Sequence, residues 1–171
     1  RLREALSARW TVKLDDRDQM RPGWKYAEWE ARGVPVRIEV GPKDVAKSQA
    51  VLVRRDNRKK EFVPVEQVPD ALARIHAEMQ AELFQKALAF REAHTRVIDD
   101  YDEFRQYMEA GEGFAVSHWC GDRESEARVK DETKATIRNI PLDKLSGVGP
   151  EEAGTCIVTG RPSPHRVIWG G

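Results

Sequence analysis

Residues 11–44 read TVKLDDRDQMRPGWKYAEWEARGVPVRIEVGPKD, and the choice of fold turns on how they are arranged. Residues 11–14 have the look of a short strand. Residues 15–18 (DDRD) are a polar loop. Pro22-Gly23 then opens a helix, with Pro in a first-turn position where its missing N–H costs nothing. The helix runs to Arg32 and Gly33 stops it. Residues 34–40 form the next strand, with Val36, Ile38 and Val40 alternating against Arg37 and Glu39. Strand, helix and strand within about 30 residues predict a βαβ unit, with parallel pairing and a right-handed crossover.

Working outward, residues 1–9 (RLREALSAR) resemble the last turns of a helix. Nothing before Arg1 could cap it, and Leu2 and Leu6 need a sheet to pack on, so a fragment of a longer protein is expected. Gly41-Pro42-Lys43-Asp44 is a turn. Residues 50–55 and 61–65 make an antiparallel hairpin, with Pro64 near an edge. Leu72, Ile75, Met79, Leu83, Ala87 and Phe90 recur at spacings of three and four, which predicts a long amphipathic helix over residues 71–94 with Asp70 as its N-cap. A second helix covers residues 101–110 and stops at Gly111. A strand at 113–119, a helix at 124–132, a strand at 135–140 and a short last strand at 167–169 follow, with a Gly/Pro/Glu-rich loop at 143–154. The expected division is an α/β domain over 1–67, a helical bridge over 68–111 and a small α+β domain over 112–171.

Composition narrows the function. The chain has 171 residues, 40% hydrophobic and 34% charged, with 29 Lys and Arg balancing 29 Asp and Glu. That is enough apolar side chain for a core, and no run approaches a membrane span. Zero net charge excludes an indiscriminate polycation but not a local basic face. Residues 37–60 hold eight cations (Arg37, Lys43, Lys47, Arg54, Arg55, Arg58, Lys59, Lys60) against three carboxylates, a net +5. Residues 99–112 hold six carboxylates against Arg105, a net −5. The basic stretch lies on two strands and their loops, where it could place several cations on one sheet edge and attract phosphate.

Trp24, Tyr26 and Trp29 crowd one stretch of helix beside Lys25, Glu28 and Glu30, and at least one of the two tryptophans is expected in the core. Unpaired bases are read by aromatic stacking and by hydrogen bonds to their edges. A carboxylate can accept from the N1–H and N2–H₂ edge of an unpaired guanine, and Arg or Lys can donate to its O6 and N7. Glu30, Arg37, Lys43 and Asp44 together have those donor and acceptor types.

Residues 14–44 strongly resemble the anticodon-binding domain of class II aminoacyl-tRNA synthetases, through D-R-x-x-x-x-x-G-x-K, then E-W-E, then G-V-P-x-R-I-E-x-G-P-K-D. The RPGWKYAEWE helix makes the likeness closest to prolyl-tRNA synthetases of the archaeal/eukaryotic type, which some bacteria also carry. AFREAHTR at 89–96, HWCGD at 118–122, KDETKATIRNIP at 130–141 and TCIVTGRPS at 155–163 extend it over the C-terminal zinc-binding-type domain of that family.

The resemblance implies an α/β fold: a mixed sheet flanked by helices, its first strand missing here, followed by helices and a small α+β domain. It implies that two guanines of the proline anticodon are read, with the base-contacting positions at Tyr26, Glu30, Arg37, Lys43, Asp44 and Lys60. Lys43 and Asp44 are the leading candidates, being expected to project freely from a stiff Gly-Pro turn. The family's four zinc cysteines fall at Cys120, Ser125, Cys156 and Thr159, so a poor zinc site and no bound zinc are expected. No catalytic residue is expected, because nothing here resembles the synthetase core. The implied parent is a cytoplasmic, homodimeric ligase that uses ATP and Mg to join proline to its tRNA through prolyl-adenylate, away from any membrane. A free-standing RNA-binding or interaction module of the same fold is the alternative.

Overall fold

The computed structural model describes residues 1–145, 147–149 and 151–171. They divide into two compact units, Arg1–Gln85 and Lys86–Gly171. The class is α/β, with helices flanking the sheets.

The first unit opens with α1 (Leu2–Ser7), followed by a stretch without regular structure up to α2 (Pro22–Ala31). Pro22 starts α2, and Gly33 leaves it at φ 89°, a conformation that favours glycine. Then come β1 (Val36–Glu39), α3 (Pro42–Ala46), β2 (Gln49–Arg54) and β3 (Lys60–Pro64). After a single 3₁₀ turn, α4 runs from Val68 to Ala93, beginning three residues earlier than its periodicity implied.

The strands form one sheet in the order β1-β2-β3, antiparallel throughout. The predicted hairpin is present, and Pro64 lies on the edge strand opposite Gln49. The predicted βαβ unit is not. Residues 11–14 pair with no strand among the described residues, and β1 takes β2 as its antiparallel partner. This stretch serves the core without joining a sheet. Trp10 and Val12 pack directly on the core, and Asp15 is held by Arg17 and by the Trp29 indole. That core joins Leu6 to Ala50, Leu52 and Val63 of the sheet and to Val68, Ala71, Leu72, Ile75 and Met79 of α4. Only the first half of α4 is packed in this way; Leu83 and Phe90 are exposed.

Arg54, the last residue of β2, is 6% exposed and bonds Asp56, Glu82 and, more loosely, Glu78. The two α4 carboxylates thereby tie the helix to the sheet. A nearly buried cation without such partners would be strongly destabilising.

The second unit continues with β4 (Thr95–Val97), α5 (Tyr101–Ala110), β5 (Phe114–Trp119), α6 (Arg123–Thr133), β6 (Thr136–Asn139), β7 (Gly154–Thr155), β8 (Pro162–Ser163) and β9 (His165–Gly170). Its sheet is mixed, in the order β4-β5-β9-β6, with β4 and β5 parallel and the other pairs antiparallel. The parallel pair embraces α5, which Asp100 caps and Gly111 ends at φ 67°. The predicted last strand is six residues long and runs through the middle of the sheet. The predicted loop at 143–154 falls partly outside the described residues, at 146 and 150.

Trp169 on β9 is fully buried and meets Phe104 of α5 edge-to-face at 5.7 Å. Replacing Trp169 with Ala removes the largest side chain of this core. It should lower unfolding stability by ~3–5 kcal/mol, seen as a lower urea midpoint for this unit.

Candidate nucleic-acid interface

The β1-β2-β3 sheet has two unlike faces. One carries Val36, Ile38, Ala50, Leu52 and Val63 into the core. Strand alternation sends Arg37, Glu39, Val51, Val53, Lys60 and Phe62 to the other. There Arg37, Val53 and Lys60 form one cross-strand row, and Glu39, Val51 and Phe62 the next.

Helix α2 meets β1 on this second face. The Arg37 guanidinium lies over the Tyr26 ring, 3.8 Å from its centroid. Its Nε donates to Glu39 and its Nη1 to Glu30, each at 2.8 Å. Nη2 has no hydrogen-bond partner among the described residues. The fork is thus held flat by a ring and two carboxylates with part of its donor capacity left over. Burial and the Glu39 carboxylate push the Tyr26 phenol above its ordinary range. Trp29, Glu30, Val34, Val53 and Arg55 line a shallow cleft beside Arg37. Trp29 is half-buried with its indole N–H on Asp15, whereas Trp24 is 72% exposed.

Lys43 and Asp44 follow β1. The expected free turn is a helical one: Pro42–Ala46 is α3, with Gly41 as its N-cap. Lys43 is exposed. Asp44 does not project freely, because it accepts the Gly41 N–H at 3.0 Å and the Gln49 Nε2–H at 2.9 Å. These bonds, Gln49's foremost, hold its carboxyl below the ordinary 3.8. Stability from this cap is therefore present above that value and lost as pH falls through the depressed pKa. An ionised carboxylate offers about four lone-pair sites, so Asp44 keeps acceptor capacity after both bonds.

The structure brings Tyr26, Glu30, Arg37 and Lys60 to one face, and Lys43 and Asp44 to the end of β1 that borders it. Two partners were missed. Glu39 was visible in principle, two residues from Arg37 on the same strand face. Gln49 had no signal, since its link to Asp44 needs the α3 turn. The +5 stretch is also smaller in effect than it reads. Arg37 and Arg54 are neutralised by carboxylates, and Arg58 is 4.0 Å from Glu30. Lys43, Lys47, Arg55, Lys59 and Lys60 make no ion pair among the described residues.

In the second unit, the four zinc-ligand positions implied by resemblance do converge. Cys120 Sγ is 3.8 Å from Ser125 Oγ and 3.4 Å from Thr159 Oγ1. Burial pushes the Cys156 thiol up, but hydrogen bonds from Thr159, from the neighbouring amides and from Cys120 outweigh it and leave the thiol below its ordinary value. Asp122 caps α6 and bonds Cys120 Sγ at 2.9 Å. Arg161 pairs with Asp122 and donates to Cys120 Sγ at 3.4 Å. Two thiols, two hydroxyls and a guanidinium seated on them do not fit zinc, and no group of three metal-ligating side chains occurs among the described residues.

The first unit thus carries an arginine, a lysine and a phenylalanine on one face of its antiparallel sheet, and the comparisons with known proteins assign its class. Residues 1–75 match the family model described as "Anticodon binding domain", and residues 101–171 match "Prolyl-tRNA synthetase, C-terminal". Proteins named "Proline--tRNA ligase" from Flavobacterium johnsoniae and Chloroflexus aurantiacus (J-10-fl) are 46% and 47% identical over 93% and 97% of this chain. One from Roseiflexus castenholzii is 43% identical over 97%. The chain corresponds to the anticodon-binding and C-terminal region of a prolyl-tRNA synthetase homologue. It spans about a third of the length of these curated relatives, 31% to 35%. Neither family description names a catalytic domain.

The converged cluster makes a direct prediction. The edge of a tetrahedral zinc–thiolate site is about 3.8 Å, from Zn–S bonds of ~2.3 Å. Changing Ser125→Cys together with Thr159→Cys should create a site holding about one zinc per chain by plasma mass spectrometry. The same stoichiometry in the unaltered protein would contradict this account of the cluster.

Proposed function

We propose that the open face of the first unit reads the guanines of the proline tRNA anticodon. The supporting observation is the Arg37 fork, fixed on Tyr26 between Glu30 and Glu39 with a donor to spare. Arg37 and Lys43 donate to guanine O6 and N7. Glu30 and Asp44 accept from the N1–H and N2–H₂ edge. Tyr26 supplies apolar ring surface, and Lys60 meets backbone phosphate. Residues 1–67 act as the anticodon-binding part, 68–111 as the bridge and 112–171 as the C-terminal domain.

The whole protein then acts as a cytoplasmic proline–tRNA ligase in protein synthesis, a homodimer that uses ATP and Mg to form prolyl-adenylate and transfer proline to tRNA. This extends to the chain what the relatives' printed names say of them. Its partner is tRNA; among the described residues no helix is long and apolar enough to cross a membrane. Guanine contacts at this face hold the acceptor end in register with a distant catalytic site, so they govern specificity rather than activation.

In the full-length protein, Arg37→Ala or Lys43→Ala should weaken charging of proline tRNA by ~1–3 kcal/mol per lost base contact. Proline-dependent exchange of pyrophosphate into ATP should be unchanged. An equal fall in both activities would show that these residues serve activation or folding, not RNA.

A further inference from the structure

We propose that Phe62 is a second aromatic platform, on which an unpaired nucleobase stacks beside the Arg37 site. This rests on assigning the open sheet face to the anticodon loop and adds a contact that the guanine readers do not include.

Phe62 is on the edge strand β3, directly across from the buried Val51. Its neighbour Val63 enters the core, and Phe62 itself is 64% exposed. Among the described residues its ring pairs with no other ring and no cation lies over it. The Tyr26 ring, by contrast, already carries Arg37. The open Phe62 ring offers a π-face that every base can stack on.

Charge indicates what covers this one. Lys60 stands two residues before Phe62 on the same strand face, and Arg58 and Lys59 lie in the adjoining hairpin loop. These cations attract a phosphate backbone. They also oppose a second copy of the same edge by like charge. A flat ring beside cations is the arrangement that takes single-stranded nucleic acid, bases on the ring and backbone on the charges. The row holding Phe62 crosses two strand spacings from β1, about 10 Å. A splayed strand whose guanine lies at Arg37 can set a neighbouring base on Phe62 over that span.

The test is the affinity of the full-length protein for an anticodon stem-loop RNA of proline tRNA, measured by fluorescence anisotropy at several salt concentrations. Phe62→Ala should weaken binding by about tenfold to a hundredfold. Phe62→Tyr should restore it, and Phe62→Leu, which keeps apolar bulk without a π-face, should behave like Ala. Phe62→Ala should leave the salt slope unchanged, whereas Lys60→Ala should reduce it by about one. Unaltered binding in Phe62→Ala, or Leu serving as well as Phe, would overturn the proposal. If Arg37→Ala weakens binding and Phe62→Ala does not, the anticodon assignment stands and only the Phe62 role falls. If the unaltered protein does not bind the RNA, both fall. A dimer in sedimentation that Phe62→Ala dissociates, with RNA affinity unchanged, would assign the ring to a second copy of this chain instead.

Discussion

The Arg37 guanidinium is the point where the first unit's helix and sheet become one surface. It sits on the Tyr26 ring of α2 and donates to Glu30 of α2 and Glu39 of β1. A flexible side chain is thereby converted into a fixed fork. Affinity for a planar base edge depends on that fixing, because rotamer freedom lost before binding is not lost again on binding. Lysine could not replace it, having neither the planar fork nor the stacking surface. The same contacts seat α2 on the sheet, so the proposed reading surface and the local fold have one cause.

The arginines of this chain divide by their partners. Arg54 and Arg166 are nearly buried and ringed by carboxylates: Asp56, Glu78 and Glu82 around one, Asp99 and Glu152 around the other. They hold elements together and have little charge to offer outside. Arg37 is intermediate, paired yet with a donor unused. Lys43 and Lys60 are exposed without ion pairs among the described residues and present charge to solvent. Net charge along the sequence therefore overstates the field at the open face. What acts there is a few lysines and one immobilised fork. In the second unit the same logic reaches the cysteine cluster, where the Arg161–Asp122 pair bridges positions that a zinc ion would tie together with four thiolates.

Local patterns were readable wherever one periodicity met one burial environment. The β2–β3 hairpin, the end of α5 at Gly111 and the strand and helix flanking Cys120 follow from alternation, glycine and caps. Three features were not readable. Residues 11–14 alternate like a strand, but Trp10 and Val12 serve the core without a ladder, and pattern alone does not distinguish the two. β4 is three residues long and exists because α5 returns the chain beside it. The outer half of α4 keeps its apolar spacing although Leu83 and Phe90 are exposed, Phe90 with only the His94 ring stacked on it at 4.1 Å among the described rings. Of the candidate site, the residue types were legible and their partners only in part. Glu39 follows from strand alternation, but the Gln49 bond that ties down Asp44 depends on the α3 turn.

The central claim is that RNA meets the open sheet face and the adjoining α2 and α3 residues. The most direct measurement is a backbone NMR titration of the protein with the proline anticodon stem-loop. The account predicts shifts at Tyr26, Arg37, Lys43, Asp44 and Lys60 at substoichiometric RNA, with Ala50 and Leu52 on the core side little changed. Shifts confined to residues 86–171, or confined to the core face of the sheet, would contradict it.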